Sequence, residues 1–102
     1  YKFKKETDKY VFDWVKNEVG KISFKELRDL IVIEDEIFLI DGVNNIVLRI
    51  DTDGNYREHF GEVGVEGNDT GHLKNPTYIT GEKNFIYVSD TGNLRVLKIK
   101  IK

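Results

Sequence analysis

The chain reads as short apolar runs rich in β-formers, each closed by a polar turn. Residues 1–4 alternate apolar and basic side chains and predict a strand. A polar turn over 5–8 precedes a second predicted strand over 10–15, and a connection over 16–23 follows. Four strands come next, over 27–33, 37–40, 46–50 and 56–60. The first of them is nearly all apolar, as expected of a well-buried strand. The Asp53-Gly54 pair between the last two is a strong hairpin signal. A connection over 61–72 carries glycines at 61, 64, 67 and 71, which permit backbone angles that other residues avoid. Three more strands follow it, over 76–80, 85–88 and 95–99. No segment holds a helical period; residues 13–19 could pass for one turn, but Trp14 and Val15 fit the strand alternation better.

The pattern repeats. Sliding the chain by 49 residues lays Ile37 on Ile86, Asp41 on Asp90, Asn44 on Asn93, Leu48 on Leu97 and Ile50 on Ile99. No gap is needed from the pair Phe24 and Leu73 to the end of the match. A period in the forties built from short strands points to the blades of a β-propeller. Three segments follow: 1–23, an outer hairpin of a preceding or swapped blade plus a connection; 24–60, a first blade; and 61–102, a second blade lacking its outermost strand.

The second copy resembles the NHL repeats, a family of six-bladed β-propellers. Its glycine-spaced loop, Leu73, Pro76, the strand ending Tyr87-Val88-Ser89-Asp90, the Gly92-Asn93 turn and Arg95-Val96 all match that pattern. The first copy is degenerate: Phe24, Asp41 and Asn44 are kept, but Leu27 replaces the proline and Ile46 the arginine. The resemblance implies an all-β fold of antiparallel four-stranded blades, about two per chain. Within it Asp41, Asn44, Asp90, Asn93 and Arg95 read as structural residues. Asp and Asn bond local backbone in turns, and Arg95 lies within reach of Asp90 for a charge-assisted bond.

Composition removes several function classes. The chain has 102 residues, with 16 Lys+Arg against 18 Asp+Glu, a net charge of −2. That balance argues against nucleic acid as a partner. The lysines at 98, 100 and 102 alternate with apolar residues and read as the solvated face of an edge strand. With no Cys, disulfides and thiolate metal sites are excluded. No apolar run approaches the ~20 residues of a membrane helix, so no membrane partner is expected. Nothing in the sequence names a compartment. The chain opens on Tyr1, as expected of a processed or excised segment.

Candidate chemistry is sparse. Some propellers of this type are enzymes with metal ligands converging on a central channel, but His59 and His72 are the only histidines. His59 falls on a predicted outer strand and His72 in the glycine loop, and zinc needs three or four fixed ligands. The 51–55 segment has the carboxylate spacing of a calcium loop, but the strand that follows makes it a hairpin turn. The 61–71 glycines lack the Lys-Ser/Thr of a phosphate cradle. Tyr10, Phe12, Trp14, Tyr56 and Phe60 could stack on sugars or bases, but their strand positions place them in a core between blades.

No catalytic, cofactor or metal residue is therefore assigned. The expected function is a non-catalytic binding scaffold for a protein or peptide. The alternative is a segment of a propeller enzyme or small-ligand binder whose site lies in other blades or at an oligomer axis. Two blades cannot close a ring. Three copies could close one of six blades, with the N-terminal hairpin completing the last blade of a neighbour, or the chain could be part of a longer propeller.

Overall fold

The computed structural model describes residues 13–102 and is all-β, with antiparallel sheets of two, four and three strands. The strands are β1 (Glu18–Val19), β2 (Ile22–Ser23), β3 (Leu27–Ile33), β4 (Glu36–Asp41), β5 (Ile46–Asp51), β6 (Tyr56–Phe60), β7 (Pro76–Glu82), β8 (Phe85–Asp90) and β9 (Arg95–Lys100). Strands β3 to β6 form one sheet in chain order, and β7 to β9 another. Within each sheet every strand after the first hairpins onto its predecessor, so the strand pairing is local. Among the described residues no helix is long and apolar enough to cross a membrane.

The 49-residue offset is visible in the backbone. Strands β3 and β7 carry the same bulge, between Leu27 and Asp29 in one and between Pro76 and Tyr78 in the other. Asn45 and Leu94 occupy equivalent places in the turns and share a left-handed backbone, at φ 58° and 52°. At Gly61, φ is 97° and a Cβ would lie 2.6 Å from the Asn45 carbonyl oxygen, so both angle and space demand glycine.

The two larger sheets stack face to face. One face of the first sheet contributes Phe38, Ile40 and Val47, with Ile31, Ile33 and Phe60 at its margin. The second sheet meets it with Ile79, Ile86 and Val88, flanked by Leu97 and Ile99. Contact is densest where β7 lies along β3 and β4. Asp29 joins the two sheets there: one carboxylate oxygen accepts from its own sheet's Leu30 amide at 2.9 Å, the other from Ile79 at 2.9 Å. Asn45 adds a second tie, its side-chain oxygen accepting from the Asn75 amide at 2.9 Å.

The opposite face of the first sheet carries Leu39, Ile46, Leu48 and Ile50, and residues from 14 to 24 cover it. Predicted strand 1–4 and the first half of predicted strand 10–15 lie outside the described residues. Residues 13–15 are not in a strand, and the expected plain connection over 16–23 holds the β1–β2 hairpin. Its two-residue turn, Gly20-Lys21, has both φ angles positive (57° and 68°), the geometry that matches strand twist. Val19 and Ile22 bury against Ile46 and Leu48. Trp14 packs on the same face, and its indole N–H donates to the Thr52 carbonyl at 3.0 Å.

Leu94 is the residue least suited to its place: left-handed, bulky and 93% exposed. A left-handed backbone costs an L-residue roughly 1–2 kcal/mol, and Asn tolerates it best after glycine. Leu94→Asn is expected to raise unfolding free energy by about 1 kcal/mol, read by urea denaturation. An unchanged or lower midpoint would show that the leucine side chain stabilises the fold by as much as its backbone costs.

Candidate functional site

Two buried carboxylates end the second strand of each sheet. Asp41 is 1% exposed and Asp90 is 0% exposed. Asp41 accepts from the backbone amides of Lys25 (2.8 Å), Glu26 (3.1 Å), Val43 (3.2 Å) and Asn44 (3.1 Å). Asp90 accepts from the Lys74 amide at 2.7 Å, the position equivalent to Lys25. In both turns an asparagine bridges the carboxylate to the preceding loop. Asn44 donates to Asp41 and to the Ser23 carbonyl at 3.0 Å each. Asn93 donates to Asp90 and to the Gly67 carbonyl at 2.8 Å each. Burial raises the pKa of Asp41, but the amides of Lys25, Asn44 and Glu26, with the Asn44 side chain, outweigh it and the net shift is downward. These are the anchors of the loops that lead into β3 and β7.

Arg95 completes the second anchor. Its Nε donates to Asp90 at 2.7 Å. Its terminal nitrogens reach the carbonyls of Asn68 (2.9 Å), Asp69 (2.8 Å) and His72 (3.1 Å). One guanidinium thus gathers three loop carbonyls, a geometry its planar fork suits. In the first sheet Ile46 takes this position and is fully buried beneath Val19 and Ile22. The shorter first loop lays an apolar hairpin on that position, where the longer second loop presents carbonyls to be bound.

His72 sits inside the glycine loop between two carboxylates. Nδ1 is 2.6 Å from Asp69 Oδ1, and Nε2 is 2.9 Å from Glu62 Oε1. The bonds to Asp69 and Glu62 raise its pKa above 6.5, against a smaller effect of burial. Asp69 is lowered in turn by His72 and by the Gly71 amide. Both ring nitrogens are engaged in holding the loop, and none of the described His, Asp and Glu residues cluster as a metal site.

His59 lies on β6 and bonds the Tyr56 hydroxyl at 2.9 Å. Asp51 is turned into its own loop, accepting from the Asp53 and Asn55 amides at 2.9 Å each, as a hairpin turn does. Of the aromatic residues assigned to a core, Phe60 packs between the sheets, but Tyr56 is 40% exposed, its ring lying against Gly20. Phe12 and Tyr10 lie outside the described residues.

Among the described residues the outer edge of the second sheet is unpaired. Strand β9 pairs with β8 on one side and, among the described residues, with no strand on the other. The equivalent strand β5 pairs with β6. Beside that edge the sheets part, and a cavity of about 210 Å³ opens between Val47 and Phe60 on one side and Ile86 and Ile99 on the other. This opening was not legible in the sequence, which shows a missing strand but not the space beside it. The chain matches no protein-family model and no curated protein.

Two measurements check this account of the anchors. Asp90→Asn removes the charge that Arg95 and Asn93 bind, and because Arg95 is partly exposed and keeps its three carbonyls, the cost is that of charged hydrogen bonds, about 1.5–3 kcal/mol. The variant is expected to lose that much in denaturant unfolding; a loss under about 1 kcal/mol would contradict the anchor role. His72 gives a pH signature. Because its folded pKa is raised, its contribution is full below the unfolded value of about 6.5 and is lost as pH rises through the folded value. Amide exchange across residues 61–72, corrected for its intrinsic pH dependence, is expected to quicken over that window, with a His72 NMR pKa above 6.5. A value at or below 6.5 would contradict the clamp.

Proposed function

We propose that this chain is part of a β-propeller of the NHL type and acts as a non-catalytic scaffold that binds a protein or peptide. Support comes from two meandering antiparallel sheets, alike at a 49-residue offset, that stack through opposite faces. The observation that carries the reading is what lies at the two ends of the stack. In the first sheet the face of Phe38, Ile40 and Val47 is covered by the second sheet. The matching face of the second sheet carries Tyr87, Ser89 and Val96 and has no sheet upon it among the described residues. Tyr78 and Val96 on it are 66% and 71% exposed. At the other end Leu30 and Val32 of β3 are 56% and 55% exposed beyond the reach of the β1–β2 hairpin.

An end of one kind fits an end of the other, because that is the contact already made inside the chain. Further sheets stacked the same way would cover both ends and close a ring. We take the further sheets to be copies of this chain, three copies giving six blades. His59 bonds Tyr56 on the outer strand, and His72 spans two carboxylates of its own loop, so the bonds given to both histidines are local ones. Loops and edges are then the surfaces such a ring would present.

Light scattering behind size exclusion, over a range of concentrations, tests the assembly. The expected mass is three times the 11.9 kDa of one chain, and Val96→Asp is expected to shift it to that of one chain. A folded wild-type monomer at every concentration would contradict the ring of copies.

A further inference from the structure

We propose that the open edge of β9 and the cavity beside it form a strand-accepting site for a partner peptide with alternating apolar and acidic residues. The proposal rests on the reading of the chain as a binding scaffold, names where and by what chemistry it binds, and gives this edge to a partner peptide in place of the N-terminal hairpin of a neighbouring copy.

The first sheet shows what such an edge accepts. There β5 is paired by β6 in antiparallel register, with Val47 opposite Phe60, Leu48 opposite His59 and Arg49 opposite Glu58. The 49-residue offset carries those β5 positions to Val96, Leu97 and Lys98 of β9. A peptide taking the place of β6 thus sets one residue opposite Lys98, where Glu58 stands opposite Arg49. In the first sheet that pair is an ion pair at 2.6 Å. Lys98 holds its ammonium group 4.2 Å from the centre of the Phe85 ring, on the outward face, and enters no ion pair among the described residues. An acidic residue is therefore the complement at that position.

Neighbouring peptide residues point the other way. Those opposite Leu97 and Ile99 face the first sheet and enter the cavity, whose walls include Val47, Phe60, Ile86 and Ile101. Apolar side chains fit there. Arg49 also lines this cavity, its guanidinium held by Glu36 at 3.0 Å, by Glu58 at 2.6 Å and by the Lys102 carbonyl at 3.2 Å. Lys100 and Lys102 continue the basic rim. The same lysines repel a second β9, so the edge is guarded against its own copy while remaining open to an acidic strand. Binding of this kind draws affinity from main-chain bonds and selectivity from alternate side chains.

The test is an NMR titration of the full chain with a capped seven-residue peptide alternating valine and glutamate. Two twins of it are N-methylated, one at odd and one at even residues. Along an antiparallel edge only alternate amides face the neighbouring strand. We expect shifts at residues 96–100, at least tenfold weaker binding for one twin and near-unchanged binding for the other. Lys98→Glu is expected to lose the glutamate peptide at least tenfold and to take up its valine–lysine counterpart. Absence of binding, equal effects of the two twins, or shifts confined to other residues would overturn the site. Panning a random-peptide library on the chain separates this from the broader reading. A selected peptide that binds elsewhere overturns the edge site and leaves the scaffold standing, whereas an empty panning overturns both.

Discussion

Everything in this molecule hangs on a carboxylate buried at the end of the second strand of each sheet. Asp41 and Asp90 are cut off from water, and each is surrounded by donors from its own turn and from the loop that leads into its sheet. A buried charge is tolerated only where it is fully bonded. That requirement works in both directions. The loop amides find their acceptor only if the strand ends there, and the strand end is stable only if the loop comes back to it. Once both loops are fixed, the first strands β3 and β7 are delivered side by side, and Asp29 and Asn45 can join the sheets.

The two copies solve the same problem differently around this shared anchor. In the second, a long glycine-spaced loop leaves carbonyls pointing inward, and Arg95 binds three of them while holding Asp90. In the first, the segment is shorter and pairs with itself as β1–β2, so its backbone needs no arginine. The position then becomes apolar, and Ile46 receives Val19 and Ile22. The degeneracy of the first copy is thus a change from polar to apolar loop closure with the anchor unchanged. Among the described residues the second sheet has three strands to the first sheet's four, and its β9 edge and the cavity beside it are where the proposed peptide would bind.

Much of the fold was legible because local signals agree. Alternation, Asp-Gly and Asn-containing turns and the 49-residue offset place every strand from Leu27 onward to within two residues at either end. The reach of Arg95 to Asp90 followed from their spacing across a hairpin. What was not legible depends on contacts without local pattern. The β1–β2 hairpin has two-residue strands in a polar stretch, too short to show alternation. The Asp29 and Asn45 ties join residues 50 and 30 apart, and nothing near either marks them. Tyr56 looked like a core aromatic, but an edge strand with one face open leaves it exposed beside His59.

The central claim is that the loops before β3 and β7 are held by the strand-end carboxylates as firmly as the sheets themselves. Native-state hydrogen exchange resolved by residue tests it most directly, on the amides of Lys25, Glu26 and Lys74. These residues flank exposed side chains and would ordinarily exchange as loop amides. The account predicts protection comparable to that of the central strands β4 and β8, lost only with the global unfolding of the sheets. Exchange at the rate of a frayed loop, with the sheets still protected, would contradict it.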